Sequence, residues 1–224
     1  MKNSREHAQR LRKLYRTLKR VHGKPDLATY DDPVDALIYG IVSEKMSHAA
    51  AGAAMRSIRQ TFINWNDLRV SRPEEIVEVF GADTPAHRDT AVVLTTALRG
   101  VFDGYHTVSL QALKKLGKRP ARQAIEKLGT LSRFAVSYCM LTSLQAHAIP
   151  LTERMTEYLR RHKIVDARAD EEDIDGFLTR QVAARNAHEF YALLRQECEC
   201  PRIADKESRK AARPGTGRAA KTRK

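Results

Sequence analysis

Few side chains in this chain stand at spacings that chemistry requires, and each such group has a plainer competitor. Cys198-Glu199-Cys200 places two thiols two residues apart. A metal site there would need a His pair or a second Cys pair alongside, and neither is present, so the thiols read as structural or incidental. The acidic run Ala169-Asp170-Glu171-Glu172-Asp173-Ile174-Asp175 holds enough carboxylate for a hard cation. It equally fits a solvated helix start, where negative charge is favoured by the helix dipole, and converging ligands with a bound phosphate would be needed to prefer Mg²⁺. The eight His are scattered, and His87, His106 and His147 read as surface or cap residues. No Gly-rich phosphate loop and no Ser–His–Asp pattern occurs. One cluster is denser: Lys114, Lys115, Lys118, Arg119, Arg122 and Lys127, opposed only by Glu126. It is either an ordinary solvated face or a phosphate-binding one.

Charge elsewhere is equally uneven. Residues 1–24 carry nine Lys/Arg against one Glu, and residues 206–224 carry eight against one. Against a total of +13, residues 25–205 are left at −2. Two cationic ends on a near-neutral body favour a polyanionic partner over mere solubility. With 42% hydrophobic and 30% charged residues, the body suits a globular domain with a real core. No apolar run approaches the roughly 18 residues of a membrane span. The N-terminus lacks the apolar stretch of a secretory signal, and three cysteines give no even disulfide framework, so a reduced cytoplasmic setting is expected.

The elements that would position these groups are helical throughout. Residues 4–21 space Leu11, Leu14, Tyr15, Leu18 and Val21 as one apolar stripe opposite Arg and Lys, which predicts packing on the body. Asp32-Pro33 signals an N-cap and first turn, followed by Val34, Leu37, Ile38, Ile41 and Val42 on one face. Further helices are predicted near 48–63, 73–80 (stopped by Gly81), 86–102, 109–116, 119–128, 132–146, 152–162, 170–182 and 186–197. Val92 and Val93 are expected to be largely buried, and Trp65 to be core. Alternating strand patterns are absent, and the tail KESRKAARPGTGRAAKTRK has the composition of disorder.

Four segments recur in a telling order. Ile41-Val42-Ser43-Glu44-Lys45 ends the first apolar helix, and the short helix 73–80 with Gly81 leads through a polar turn to His87-Arg88. Then Ala124-Ile125-Glu126-Lys127-Leu128 runs into Gly129-Thr130-Leu131-Ser132-Arg133-Phe134-Ala135, and Ile149-Pro150-Leu151-Thr152-Glu153-Arg154 follows. From about Asp32 to Cys198 this order resembles the endonuclease III superfamily of helix-hairpin-helix (HhH-GPD) DNA glycosylases, as a degenerate member. The family hairpin reads approximately LPGVGRKTA. Leu128 and Arg133 fit it, while Thr130 and Ser132 stand where its glycines allow close approach to a phosphate.

The resemblance implies an all-α, two-lobed fold. Residues 1–32 would form a basic N-terminal helix packing with the second lobe, 33–147 a central bundle ending in the hairpin, 148–204 the second lobe, and 205–224 a disordered basic tail. It implies duplex DNA as partner, met mainly at the phosphate backbone, with Lys45 at the family's inserted-Gln position. The hairpin contacts would be Lys114, Lys115, Lys118, Arg119, Arg122, Lys127, Gly129, Thr130, Ser132 and Arg133. The chemistry, by contrast, is replaced. The family's catalytic Asp falls on Thr152, which can cap a helix but cannot stabilise a cationic sugar, and the lyase Lys falls on Phe134, which offers no amine. Glu153 is the nearest substitute carboxylate, but one helical step turns a side chain by about 100°. Three cysteines cannot supply the four ligands of the iron–sulfur cluster many members carry, so no cofactor and no metal are expected. The implied protein is therefore a monomeric DNA-binding protein without glycosylase or lyase chemistry, nucleoid-associated if bacterial. Two alternatives stand beside it. One is an active monofunctional base-excision glycosylase using Glu153 or Asp32; the other is a protein-interaction scaffold, which predicts no basic surface around the hairpin.

Overall fold

A computed structural model describes residues 4–203, and within them the chain forms eleven α-helices and one 3-10 turn, with no strand. The predicted disordered tail lies outside the described residues. Two helices make the centre: α2 (Pro33–Glu44) and α8 (Arg133–Thr142), packed along each other. From Pro33 to Ser43 every residue of α2 except Asp35 is buried, and so is α8 from Phe134 to Thr142. Helices apolar all round belong inside a core. They approach closely because Gly40 has no side chain: a Cβ there would lie 3.2 Å from the Cα of Ala135.

Around this pair, α3 (His48–Thr61) packs on α2, α5 (Pro73–Phe80) on α3, and α6 (Pro85–Tyr105) on α2 and α5. Between α3 and α5 lies α4 (Trp65–Val70), packed on α6 and not anticipated, since six residues are too few to show a helical period. Trp65 opens α4 half-buried, its indole N–H donating to Asp35 Oδ1 at 2.8 Å. Gly81 ends α5 in the left-handed conformation, at φ +79°, as its position after Phe80 predicts.

Three expectations need correction. The helix predicted over 86–102 runs on to Tyr105, and its Val92 is 50% exposed, on the outer face. The segment 109–116 is only a 3-10 turn, Gln111–Lys115. The helix predicted to 146 stops at Thr142, and Gln145 takes φ +51°.

On the other side, α9 (Glu153–Arg161) and α11 (Ala184–Glu199) pack together, and α11 also touches α8. The stripe of α1 (Ser4–His22) buries Leu11, Leu14 and Leu18 against α11, while the Tyr15 hydroxyl and Lys19 reach Glu189. Glu197 seals the end of this contact. It accepts a hydrogen bond from the backbone N–H of Ile203 at 2.9 Å and lies 2.5 Å from His22 Nε2, both side chains fully enclosed. The short α10 (Glu171–Gln181) turns Ile174, Phe177 and Leu178 inward.

Candidate nucleic-acid interface

The hairpin joins α7 (Lys118–Glu126) to α8 through residues 127–132. Gly129 sits at φ +148°, which side-chain-bearing residues rarely adopt, so this one glycine is needed for the turn. Ser132 caps α8, accepting the N–H of Ala135 at 3.1 Å, while Thr130 is exposed at the tip. A residue without sequence-level notice seats the turn. A Cβ on Gly100 of α6 would fall 2.2 Å from the carbonyl oxygen of Leu128, so only glycine lets the hairpin settle there. A glycine inside a helical pattern is the signal that would have found it.

Beside the hairpin lies a pocket of about 610 Å³ where helix ends converge. It is bounded by the end of α2 and the turn after it (Glu44 to Ser47), the starts of α8, α9 and α10, and the end of α11 at Arg195, Cys198 and Glu199. Three helix starts bring partial positive charge to one space. Lys45, Arg133, Arg154 and Arg160 line it in the same sense, against Glu44, Glu153, Glu171 and Glu199. Thr152 caps α9 here, its hydroxyl accepting the Met155 N–H at 3.3 Å. Glu153 lines the same wall and carries no ion pair among the described residues. Phe134 is 3% exposed, stacked on Tyr138 at 6.0 Å, with the Arg195 guanidinium 5.6 Å over its ring. Nothing at that position can form an imine.

Arg195 itself was missed, because an Arg in an amphipathic helix reads as solvated. It is 4% exposed and tied on every side. Its Nε donates to Glu199 at 2.8 Å, Nη1 to the Tyr191 hydroxyl at 2.9 Å, and Nη2 to the carbonyls of Ser43 (2.7 Å) and Met46 (3.0 Å). Glu199 in turn accepts the N–H of His48 at 2.8 Å. The turn that presents Lys45 is thus clamped to α11 by a buried fork.

Other predicted residues are placed differently. Asp32 is no candidate for cleft chemistry: Oδ1 accepts the N–H groups of Val34 (3.0 Å) and Leu110 (2.9 Å), Oδ2 accepts the Ser109 hydroxyl, and it is absent from the pocket wall. The basic cluster divides. Lys127 and Arg133 flank the hairpin turn, with Arg122 nearby in ion pair with Glu126 at 2.9 Å. Lys114, Lys115, Lys118 and Arg119 lie at the far end of α7; Lys114 pairs with Asp31 at 2.9 Å and Lys118 donates to the Leu144 carbonyl. Arg133 faces Glu172 at 3.6 Å, so the acidic start of α10 looks onto the hairpin rather than only onto solvent. Burial, and after it Glu197, raises the Cys198 thiol to about 12, which leaves it a poor nucleophile near neutrality. Among the described residues no group of three His, Cys, Asp or Glu could hold a metal ion, and no helix is long and apolar enough to cross a membrane.

No protein-family model and no curated protein sequence matches the chain. Solved structures do. A trapped endonuclease III–DNA covalent intermediate superposes with a TM-score of 0.68 at 12% identity, covering 85% of each chain. A thermostable thymine-DNA glycosylase gives 0.62 at 14% identity over 87% of this chain and 90% of that one. The 3-methyladenine DNA glycosylase of H. pylori gives 0.58 at 11% identity over 88% and 97%. The chain has the all-helical fold of the HhH-GPD glycosylases.

Proposed function

We propose that this chain binds duplex DNA through the hairpin and the adjoining pocket, recognises a DNA structure or damaged site, and performs neither glycosylase nor lyase chemistry. The supporting observation is the pocket wall, where Thr152 spends its hydroxyl capping α9 and the ring of Phe134 is enclosed; the sequence resemblance assigns to these two residues the family's carboxylate and amine. The starts of α8, α9 and α10 turn backbone N–H groups toward the cleft, which suits a phosphate, but at those two positions it has no group that titrates near neutral pH. Lys127 and Arg133 beside the hairpin favour this reading over a scaffold with no basic surface there. A second reading rests on Glu153, which lines the same wall and would be the carboxylate of a base-releasing enzyme.

The test uses labelled duplexes carrying uracil, 8-oxoguanine, an abasic site or no lesion, incubated with the chain with and without residues 206–224 and then treated with alkali. Binding independent of the tail, without strand scission, is the expected outcome. Lesion-specific base loss that disappears in Glu153→Gln would replace this reading with the second. Thr152→Asp keeps the cap and returns a carboxylate to the pocket, and gain of base release by that variant would show that the cleft still admits a nucleotide.

A further inference from the structure

The far half of the divided basic cluster lies at a second concavity, of about 800 Å³, at the opposite ends of α8 and α11 from the hairpin pocket. The hairpin pocket takes the start of α8 and the end of α11, whereas this one takes the residues after α8 (Ser143 to Ala146) and the start of α11. The two helices are therefore antiparallel struts, about 15 and 24 Å long, between two surfaces facing different ways. Lys114, Lys118 and Arg185 line the second concavity, and the exposed Lys115 and Arg119 adjoin them. The one carboxylate in the lining is Asp31, and Lys114 already pairs with it. Lys118 gives one of its three N–H groups to Leu144, while Arg119 and Arg185 have no ion pair or hydrogen bond among the described residues.

We propose that this surface is a second contact for the DNA backbone, so that one chain bridges two duplex segments, one at the hairpin and one here. The inference rests on the reading above that the hairpin binds duplex DNA. The cations are exposed and continue past the rim of the concavity, which matches an extended polyanion; a small phosphorylated ligand would be held in a more enclosed, largely apolar pocket. It also gives a role to Lys114 and Lys115, on the 3-10 turn, and Lys118, at the end of α7 away from the hairpin turn.

The full-length chain is mixed with a bead-bound duplex and a free labelled duplex, and capture of the label is measured beside single-duplex affinity by anisotropy. Arg119→Glu with Arg185→Glu is expected to lower capture roughly tenfold, more steeply as salt rises, and to leave single-duplex affinity within about twofold. The neutral pair Arg119→Gln with Arg185→Gln, checked by an unchanged melting temperature, repeats the comparison without charge reversal. Equal capture by wild type and both variants overturns the proposal and assigns bridging to the basic chain ends. So does wild-type protein that binds one duplex yet captures no second, an outcome that leaves the hairpin reading standing. Failure to bind even one duplex overturns both. If ATP raises the melting temperature of the wild type but not of the variants, and no bridging occurs, the surface takes a small phosphate ligand instead and the duplex assignment falls.

Discussion

Of the contacts that hold α2 in place, the seams with α8 and with α11 are built from opposite materials. Along α8 the contact is apolar and close, with Gly40 against Ala135 and nearly every residue enclosed. At the end of α2 the contact with α11 is polar, a guanidinium satisfied by two carbonyls, a phenol and a carboxylate. The first seam fixes that the helices meet. The second fixes where the turn after α2 points, because hydrogen bonds are directional and burial is not. Lys45, one of the residues proposed to meet DNA, hangs on the second.

The sharpest way to break this contrast is Arg195→Met. It leaves Glu199 and two carbonyls short of their donor, and unfolding in urea should show a loss of about 3–5 kcal/mol. Arg195→Lys should recover only a fraction, because an ammonium cannot reproduce the fork; full recovery would mean that charge alone held the turn. Gly100→Ala tests close packing at the hairpin. Its methyl would drive the Leu128 carbonyl away, with an expected cost of about 3 kcal/mol and a fall in duplex affinity measured on the same preparation. Thr152→Ala removes only a cap and should cost about 1 kcal/mol, with no change in base release.

The smallest effect concerns α1. The Tyr15 hydroxyl, and then Lys19, hold the Glu189 carboxyl below its ordinary value against the opposing effect of partial burial. A depressed carboxylate stabilises the fold above its unfolded pKa, about 4.3, and that contribution fades as pH falls through the folded value. Glu189→Gln should therefore lie below wild type by under about 1 kcal/mol at pH 7 and converge with it in acid. A constant gap across that range would remove the carboxylate from the account.

The parts of the fold written locally were readable in the sequence. Asp32, Ser132, Thr152, Asp170 and Gly81 all stop or start helices where their residue types say they should, because a cap involves only neighbours within four positions. What needed distant partners was not readable. Asp32 also binds Leu110, 78 positions on, which removes it from the candidates for catalysis. Arg195 looked like surface until Ser43 and Met46 were brought to it. The six cations from Lys114 to Lys127 read as one patch because sequence gives proximity without direction, whereas α7 separates them end from end.

The docking of α1 on α11 also sets a timetable for synthesis. His22 and Glu197 meet across 175 positions, so the apolar stripe of α1 cannot dock on α11 until that helix has left the ribosome. At roughly 5–20 residues per second, that delay is on the order of ten to thirty seconds. During it Leu11, Leu14 and Leu18 lack their cover from α11 on a strongly cationic strip, and the like charge of that strip disfavours contact between nascent chains. A chain halted before α11 would leave α1 without that seat, holding the contacts of His7 and Arg10 with the Lys163 carbonyl and of His7 with Phe177.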